Sequence, residues 1–176
     1  MYEKLEVDIL ILGGGGAGLM AALHARRADP GLRIAVAAKG LVGQSGCTRM
    51  VQGGYNAVLD PKDSFDLHYG DTIRGGAFIN DQELAWALVT NAPKVIEELE
   101  RLGCFFDRDP QGRIFQKAFA GQSFDRTVHR GDLTGIEIMS RLKENVLMAD
   151  LLLLDERRGI SLLADGNGGI GGALVV

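Results

Sequence analysis

Val7-Asp8-Ile9-Leu10-Ile11-Leu12-Gly13-Gly14-Gly15-Gly16-Ala17-Gly18-Leu19-Met20-Ala21-Ala22-Leu23 decides the fold. Val7 to Leu12 is a largely apolar run of strand length. The glycines follow without a spacer, and Leu19 to Leu23 reads as the start of a helix. Gly13, Gly15 and Gly18 fit the spacing G-x-G-x-x-G. In a dinucleotide fold the first glycine makes the tight turn. The second lets backbone approach a pyrophosphate, and the third lets helix and strand touch. The free N–H groups and the dipole at the helix start favour the phosphate charge. A glycine triplet alone also fits a flexible turn in an unrelated fold. Context favours the dinucleotide reading, because Arg33 to Ala38 supplies the second strand of a βαβ unit. The acidic residue that binds a ribose hydroxyl after that strand is missing; Ala38-Lys39 stands there. That argues against an ordinary NAD site.

Length and composition bound the rest. The chain has 176 residues, 46% hydrophobic and 24% charged, enough for one globular domain with a core. A net charge of −4 argues against nucleic acid as a partner. Glycine is frequent, at 25 residues, with clusters at 13–18, 53–54, 75–76 and 166–172. The first two clusters read as backbone approaching a ligand, the others as turns. Cys47 and Cys104 lack CxxC spacing and read as free thiols of a reducing compartment. Met1 to Glu6 is short and charged, unlike a signal peptide. Leu147 to Leu154 contains Asp150 and is too short to span a bilayer.

Further along, Asp63 reads as the N-cap of a helix through Phe65, Leu67, His68 and Ile73, stopped at Gly75-Gly76. Asp81 to Asn91 predicts a helix with Leu84, Ala85, Leu88 and Val89 on one face. Pro93 then opens another helix through Val95, Ile96, Leu99 and Leu102, closed by Gly103. Asp109-Pro110-Gln111-Gly112 marks a turn between two short strands. Thr134 to Asn145 predicts a helix with Ile136, Met139 and Leu142 inward. Leu151–Leu154, Ile160–Ala164 and Ala173–Val176 predict a β-meander. The expected class is α/β: a Rossmann-like parallel sheet with helices and a small antiparallel meander.

Two further motifs carry a family resemblance. Val51-Gln52-Gly53-Gly54 resembles the Ala-Gln-Gly-Gly segment of succinate dehydrogenase and fumarate reductase flavoproteins. Gly112 to Ser123, with Arg126-Thr127, resembles their substrate-side segment, and Asp132-x-Thr134-Gly135 their Asp-Arg-Thr-Gly. The resemblance covers essentially the whole chain. It implies an FAD enzyme moving hydride between flavin and a small dicarboxylate, succinate or fumarate. It makes residues 1–176 the N-terminal FAD-binding domain of a longer enzyme, with the capping domain and C-terminal half missing, so the chain is expected to be truncated.

The resemblance also implies roles. Gly13, Gly15, Gly16, Ala17 and Gly18 would hold the pyrophosphate. Lys39, Ser45, Cys47, Thr48, Gln52, Gly53 and Gly54 would run along adenosine, ribityl chain and isoalloxazine. Phe119 would wall the dicarboxylate site, with Gln122 and Ser123 nearby; a plain core aromatic is the competing reading of Phe119. Cys47 stands where respiratory members attach FAD through His. The bland reading there is a buried small residue, so FAD is expected to be non-covalent, as in L-aspartate oxidase. An iron–sulfur protein is an implied partner, with a cytoplasmic place or one peripheral to the inner membrane face through partner subunits. No membrane insertion is expected. L-aspartate oxidase itself and a non-catalytic truncated nucleotide-binding module are the alternatives. No catalytic residue is assigned. Arg126, His129 and Arg130 form the only nearby cation cluster and read as solvated or ion-paired. His24, His68 and His129 read as structural.

Overall fold

A computed structural model describes residues 3–176; Met1 and Tyr2, the first residues of the charged opening segment, lie outside the described residues. In chain order the elements are β1 (Ile9–Leu12), α1 (Gly16–Ala28), β2 (Ile34–Ala37), a short 3-10 helix (Cys47–Met50) and β3 (Tyr55–Asn56). Next come α2 (Phe65–Gly75), α3 (Gln82–Arg101), β4 (Gln116–Lys117), β5 (Thr127–Val128) and α4 (Thr134–Met148). The chain closes with β6 (Leu152–Leu154), β7 (Gly159–Ala164) and β8 (Ile170–Val175). They fall into two compact units. One is Met1–Met50 with Ile138–Val176, the other Val51–Glu137.

The first unit holds a three-stranded parallel sheet in the order β1-β2-β6. β2 is central, and all four of its residues are buried. A strand covered on both faces needs a continuous apolar run, which Ile34-Ala35-Val36-Ala37 supplies. Leu19, Ala22 and Leu23 of α1 are buried as well. The last strands differ from the expected meander. β6 joins β2 in parallel, and only β7 and β8 pair antiparallel, as a hairpin. β6 lies at the sheet edge with Leu152 exposed, and an all-apolar run such as Leu151 to Leu154 does not encode the pairing direction.

The second unit holds α2 packed against α3, and the small antiparallel sheet β3-β5-β4. α3 runs unbroken through Pro93, where the sequence predicted two helices. Ala85, Val89, Ala92, Ile96 and Leu99 are buried at spacings of four and three, so one apolar face continues across the proline. An interior proline costs about 3 kcal/mol. Burial of Ile96 and Leu99, at about 1.5–3 kcal/mol each, is enough to offset it. Leu84 and Leu88, expected on that face, are 69% and 53% exposed. Ile136, expected to point inward from α4, is also exposed; Ile138, Met139, Leu142 and Val146 are its large buried side chains. The N-cap of α2 is Ser64, whose Oγ accepts from Leu67 N, and not Asp63, which is drawn into a buried ion pair. The turn at Asp109 leads to a single bridge, Arg108 to Ile114, rather than two strands.

Candidate cofactor and substrate site

Between β1 and α1 the chain turns through Gly13 at φ +122°, a conformation open to glycine. A Cβ on Gly18 would collide with the carbonyl oxygen of Gly13, so that glycine is fixed by helix–strand contact within the protein itself. Gly15 differs. It is the N-cap of α1, and a Cβ there would meet only Thr48 Oγ1, at 3.9 Å. The N-cap glycine supplies no side-chain cap to α1, and the first turn carries no acidic residue. Uncapped N–H groups next to open space, free of competing negative charge, fit a pyrophosphate.

The loop after β2 comes back to this turn. Gly43 N donates to Gly14 O at 3.1 Å, and Gly16 N donates to Thr48 Oγ1 at 3.3 Å. Val42 N donates to Asp155 Oδ1 at 2.7 Å, which fixes the loop to the end of β6. Gly13, Gly15, Gly16, Ala17, Gly18 and Thr48 are thus brought together. Ser45 Oγ donates to Leu41 O at 3.2 Å, and Lys39 is exposed just beyond β2. Cys47 is exposed, not buried as the bland reading held, because it opens a 3-10 helix with no buried residue.

In the second unit the Gln52-Gly53-Gly54 segment is held by the start of α4. Thr134 Oγ1 donates to Gln52 O at 3.3 Å, and Gly135 N donates to Val51 O at 2.8 Å. This accounts for the Thr-Gly pair: a small buried hydroxyl and a free helix N–H grip the loop backbone. The sequence expected Gly53 and Gly54 to leave room for a ligand. Their Cβ positions are taken instead by this chain's own atoms. A Cβ on Gly53 would lie 2.9 Å from Phe119 Cε2, and one on Gly54 would strike Val128 O and Thr127.

Phe119 is 54% exposed, so it is not a core aromatic. Gln122 Nε2 donates to Asn56 Oδ1 at 2.7 Å and to Thr127 Oγ1 at 3.0 Å. Ser123 donates to Asp71 Oδ2 twice, from N and from Oγ, each at 2.8 Å. The same oxygen accepts from Arg126 Nη1 at 2.5 Å. Arg126 is fully buried and its other nitrogens donate to Asp63. Burial pushes the Asp71 carboxyl up, but the bonds from Ser123, Arg126 and Arg74 outweigh it and hold it well below the usual carboxylate range. The hydrogen bonds it donates to Asp63 push the Arg126 guanidinium up. Asn56, Asp63 and Asp71 went unnoticed as site-building residues, because isolated polar residues carry no spacing signal.

Of the other expected cations, Arg130 is ion-paired, with Nη1 2.9 Å from Asp107 Oδ1. His129 is buried. Its Nδ1 lies 3.1 Å from Asp107 Oδ2 without the alignment of a hydrogen bond, and Nε2 has no partner among the described residues. Burial, then Lys117, pushes the His129 ring down. Among the described residues no helix is long and apolar enough to cross a membrane.

A parallel βαβ unit with an open, uncapped helix start defines a dinucleotide-binding class of protein. The chain belongs to the FAD binding domain family, which residues 8–176 match. Its cofactor class is therefore FAD. It is 44% identical to one subunit of the CoM/CoB fumarate reductase of Methanothermobacter marburgensis, over 99% of this chain and 32% of that protein. It is 48% identical to an uncharacterized FAD-dependent oxidoreductase of Methanocaldococcus jannaschii, over 93% of this chain and 30% of that one. The E. coli quinol fumarate reductase structure superposes with a TM-score of 0.93 at 31% identity, over 99% of this chain and 30% of that chain. The chain thus spans about a third of the length of the curated relatives it matches.

Proposed function

We propose that this chain is the FAD-binding part of a fumarate reductase or succinate dehydrogenase type flavoprotein, working between flavin and a small dicarboxylate. The open space beside Gly15, at the uncapped start of α1, carries this reading. Residues 1–176 then serve as a single FAD-binding domain. Gly13, Gly15, Gly16, Ala17 and Gly18 hold the pyrophosphate. Lys39, Ser45, Cys47 and Thr48 follow the adenosine and ribityl chain, and Gln52 to Gly54 lie against the isoalloxazine. Bound FAD supplies the hydride chemistry; the protein binds and orients it. Phe119 walls the dicarboxylate, and Gln122 and Ser123 stand beside it. FAD is held without a covalent bond, since position 47 is cysteine where respiratory members carry histidine. That same cysteine favours L-aspartate oxidase as a second reading.

Relatives of this chain are subunits of larger fumarate reductases, and we assign to it an iron–sulfur partner and a peripheral place on the inner membrane face. The test loads the purified protein with FAD and removes free flavin. Retained visible absorbance, perturbed by fumarate or succinate and not by aspartate, supports the proposal. Perturbation by aspartate alone selects L-aspartate oxidase. A colourless protein contradicts both.

A further inference from the structure

The turn from Phe119 to Ser123 is fastened at two points by different means. Gln122 N donates to Phe119 O at 3.3 Å and closes the turn. The Gln122 amide then bonds Asn56 and Thr127, which sit side by side in the β3–β5 register. Thr127 Oγ1 also donates to Asn56 Oδ1 at 2.8 Å, which closes a three-membered polar ring. One residue on, Ser123 spends both its N–H and its hydroxyl on Asp71. Asp71 is itself fixed by Arg126 and by Arg74, at 2.5 Å each. The polar groups of Gln122 and Ser123 are therefore committed to the protein. What the turn presents outward is the half-exposed Phe119 ring, lying over Gly53.

We propose that Gln122 and Ser123 are positioning residues, two latches that fix the Phe119 ring over Gly53 and so set the width of the dicarboxylate site. This rests on the reading above for what Phe119 faces. The latches themselves do not depend on it. Two fastenings matter because an exposed loop of small and polar residues otherwise samples many conformers. A wall displaced by about 1 Å costs on the order of 10²-fold in a reaction that depends on orientation. Either latch alone leaves the turn free to pivot on the other.

The test labels the FAD-loaded protein with 4-fluorophenylalanine and follows Phe119 by fluorine NMR, its line identified with Phe119→Leu. Gln122→Met keeps length and loses the amide; Ser123→Ala loses the hydroxyl. Neither residue is in the core, so both variants fold, as far-UV circular dichroism verifies. The double variant is expected to move the Phe119 line toward the position it has in a free peptide. The fumarate concentration that half-perturbs the flavin spectrum is expected to rise at least tenfold, at unchanged FAD content. Gln122→Glu, which can bond Thr127 and a flipped Asn56 amide, is expected to restore the line in the single background. A Phe119 line unmoved in the double variant overturns the proposal, as does a single Gln122→Glu variant whose Phe119 line is displaced as far as that of Gln122→Met. If wild-type protein gives no response to fumarate, the proposed function fails, and the fluorine line alone decides the latches.

Discussion

Arg126 and Asp63 form a closed pair in which Nε and Nη2 each donate at 2.8 Å to one carboxylate oxygen, and the two side chains are 0% and 1% exposed. Removing one member of such a pair strands a buried charge, at about 3–5 kcal/mol. Asp63→Ala is therefore expected to lower stability by about that amount in urea unfolding. Arg33→Ala, which breaks the exposed pair with Asp8, is expected to leave the midpoint in place. Equal effects from the two variants would show that burial is not what gives the Arg126 cluster its weight.

Two histidines set a pH dependence. Burial pushes His68 and His129 below the ordinary histidine value of about 6.5, helped by Arg126 and by Lys117 respectively. The folded state then binds fewer protons than the unfolded one. Their contribution to stability is complete above about pH 6.5 and falls as pH drops below it, by at most about 1.4 kcal/mol per pH unit for each ring. Melting temperature is expected to fall between pH 7.5 and 5.5, above the range in which carboxylates titrate. His129→Gln is expected to flatten part of that slope. An unchanged slope in His129→Gln would show that the ring is not held neutral.

Cys47 is exposed in the loop that follows β2. Acid precipitation of FAD-loaded protein is expected to release all flavin into the supernatant, and Cys47→Ser is expected to keep full flavin content. Flavin fluorescence travelling with the denatured chain on a gel would show a covalent link.

Asp63 and Asp71, the two buried acids near the Phe119 turn, both hold Arg126. A placed proton donor contributes about 10²–10⁴ in rate. The 176-residue chain loaded with FAD is expected to show no measurable fumarate reduction. Clear turnover, lost in His129→Gln or Arg130→Ala, would make one of those residues catalytic.

The parallel βαβ unit was legible because its cues are local: an apolar run, three spaced glycines, a second apolar run. The role of the loop 43–48 was legible only through family likeness, whereas the paired glycines at 53–54 already marked backbone near a ligand. Their grip depends on Thr48 and Thr134, which meet the loop backbone far along the chain. Asp63 shows the limit. Its position before a helix invites a cap, yet Ser64 takes that place and Asp63 pairs with an arginine 63 residues away. Pro93 misled in the same manner, because the continuous apolar face of α3 outweighs a local break. The parallel pairing of β6 with β2 was not legible, because an apolar run carries no signal for pairing direction.

The proposed pyrophosphate site is the glycine loop, and the contrast between Gly15 and Gly18 tests it. Gly18→Ala is expected to destabilise the fold, since its Cβ meets the Gly13 carbonyl. Gly15→Val points only toward Thr48 and open space, so the apoprotein is expected to fold with a near wild-type melting temperature. The decisive measurement is bound FAD per chain after desalting, in wild type and Gly15→Val. Flavin is expected to be retained in the first and absent from the folded second. Full flavin content in Gly15→Val would mean that the pyrophosphate does not lie at the start of α1.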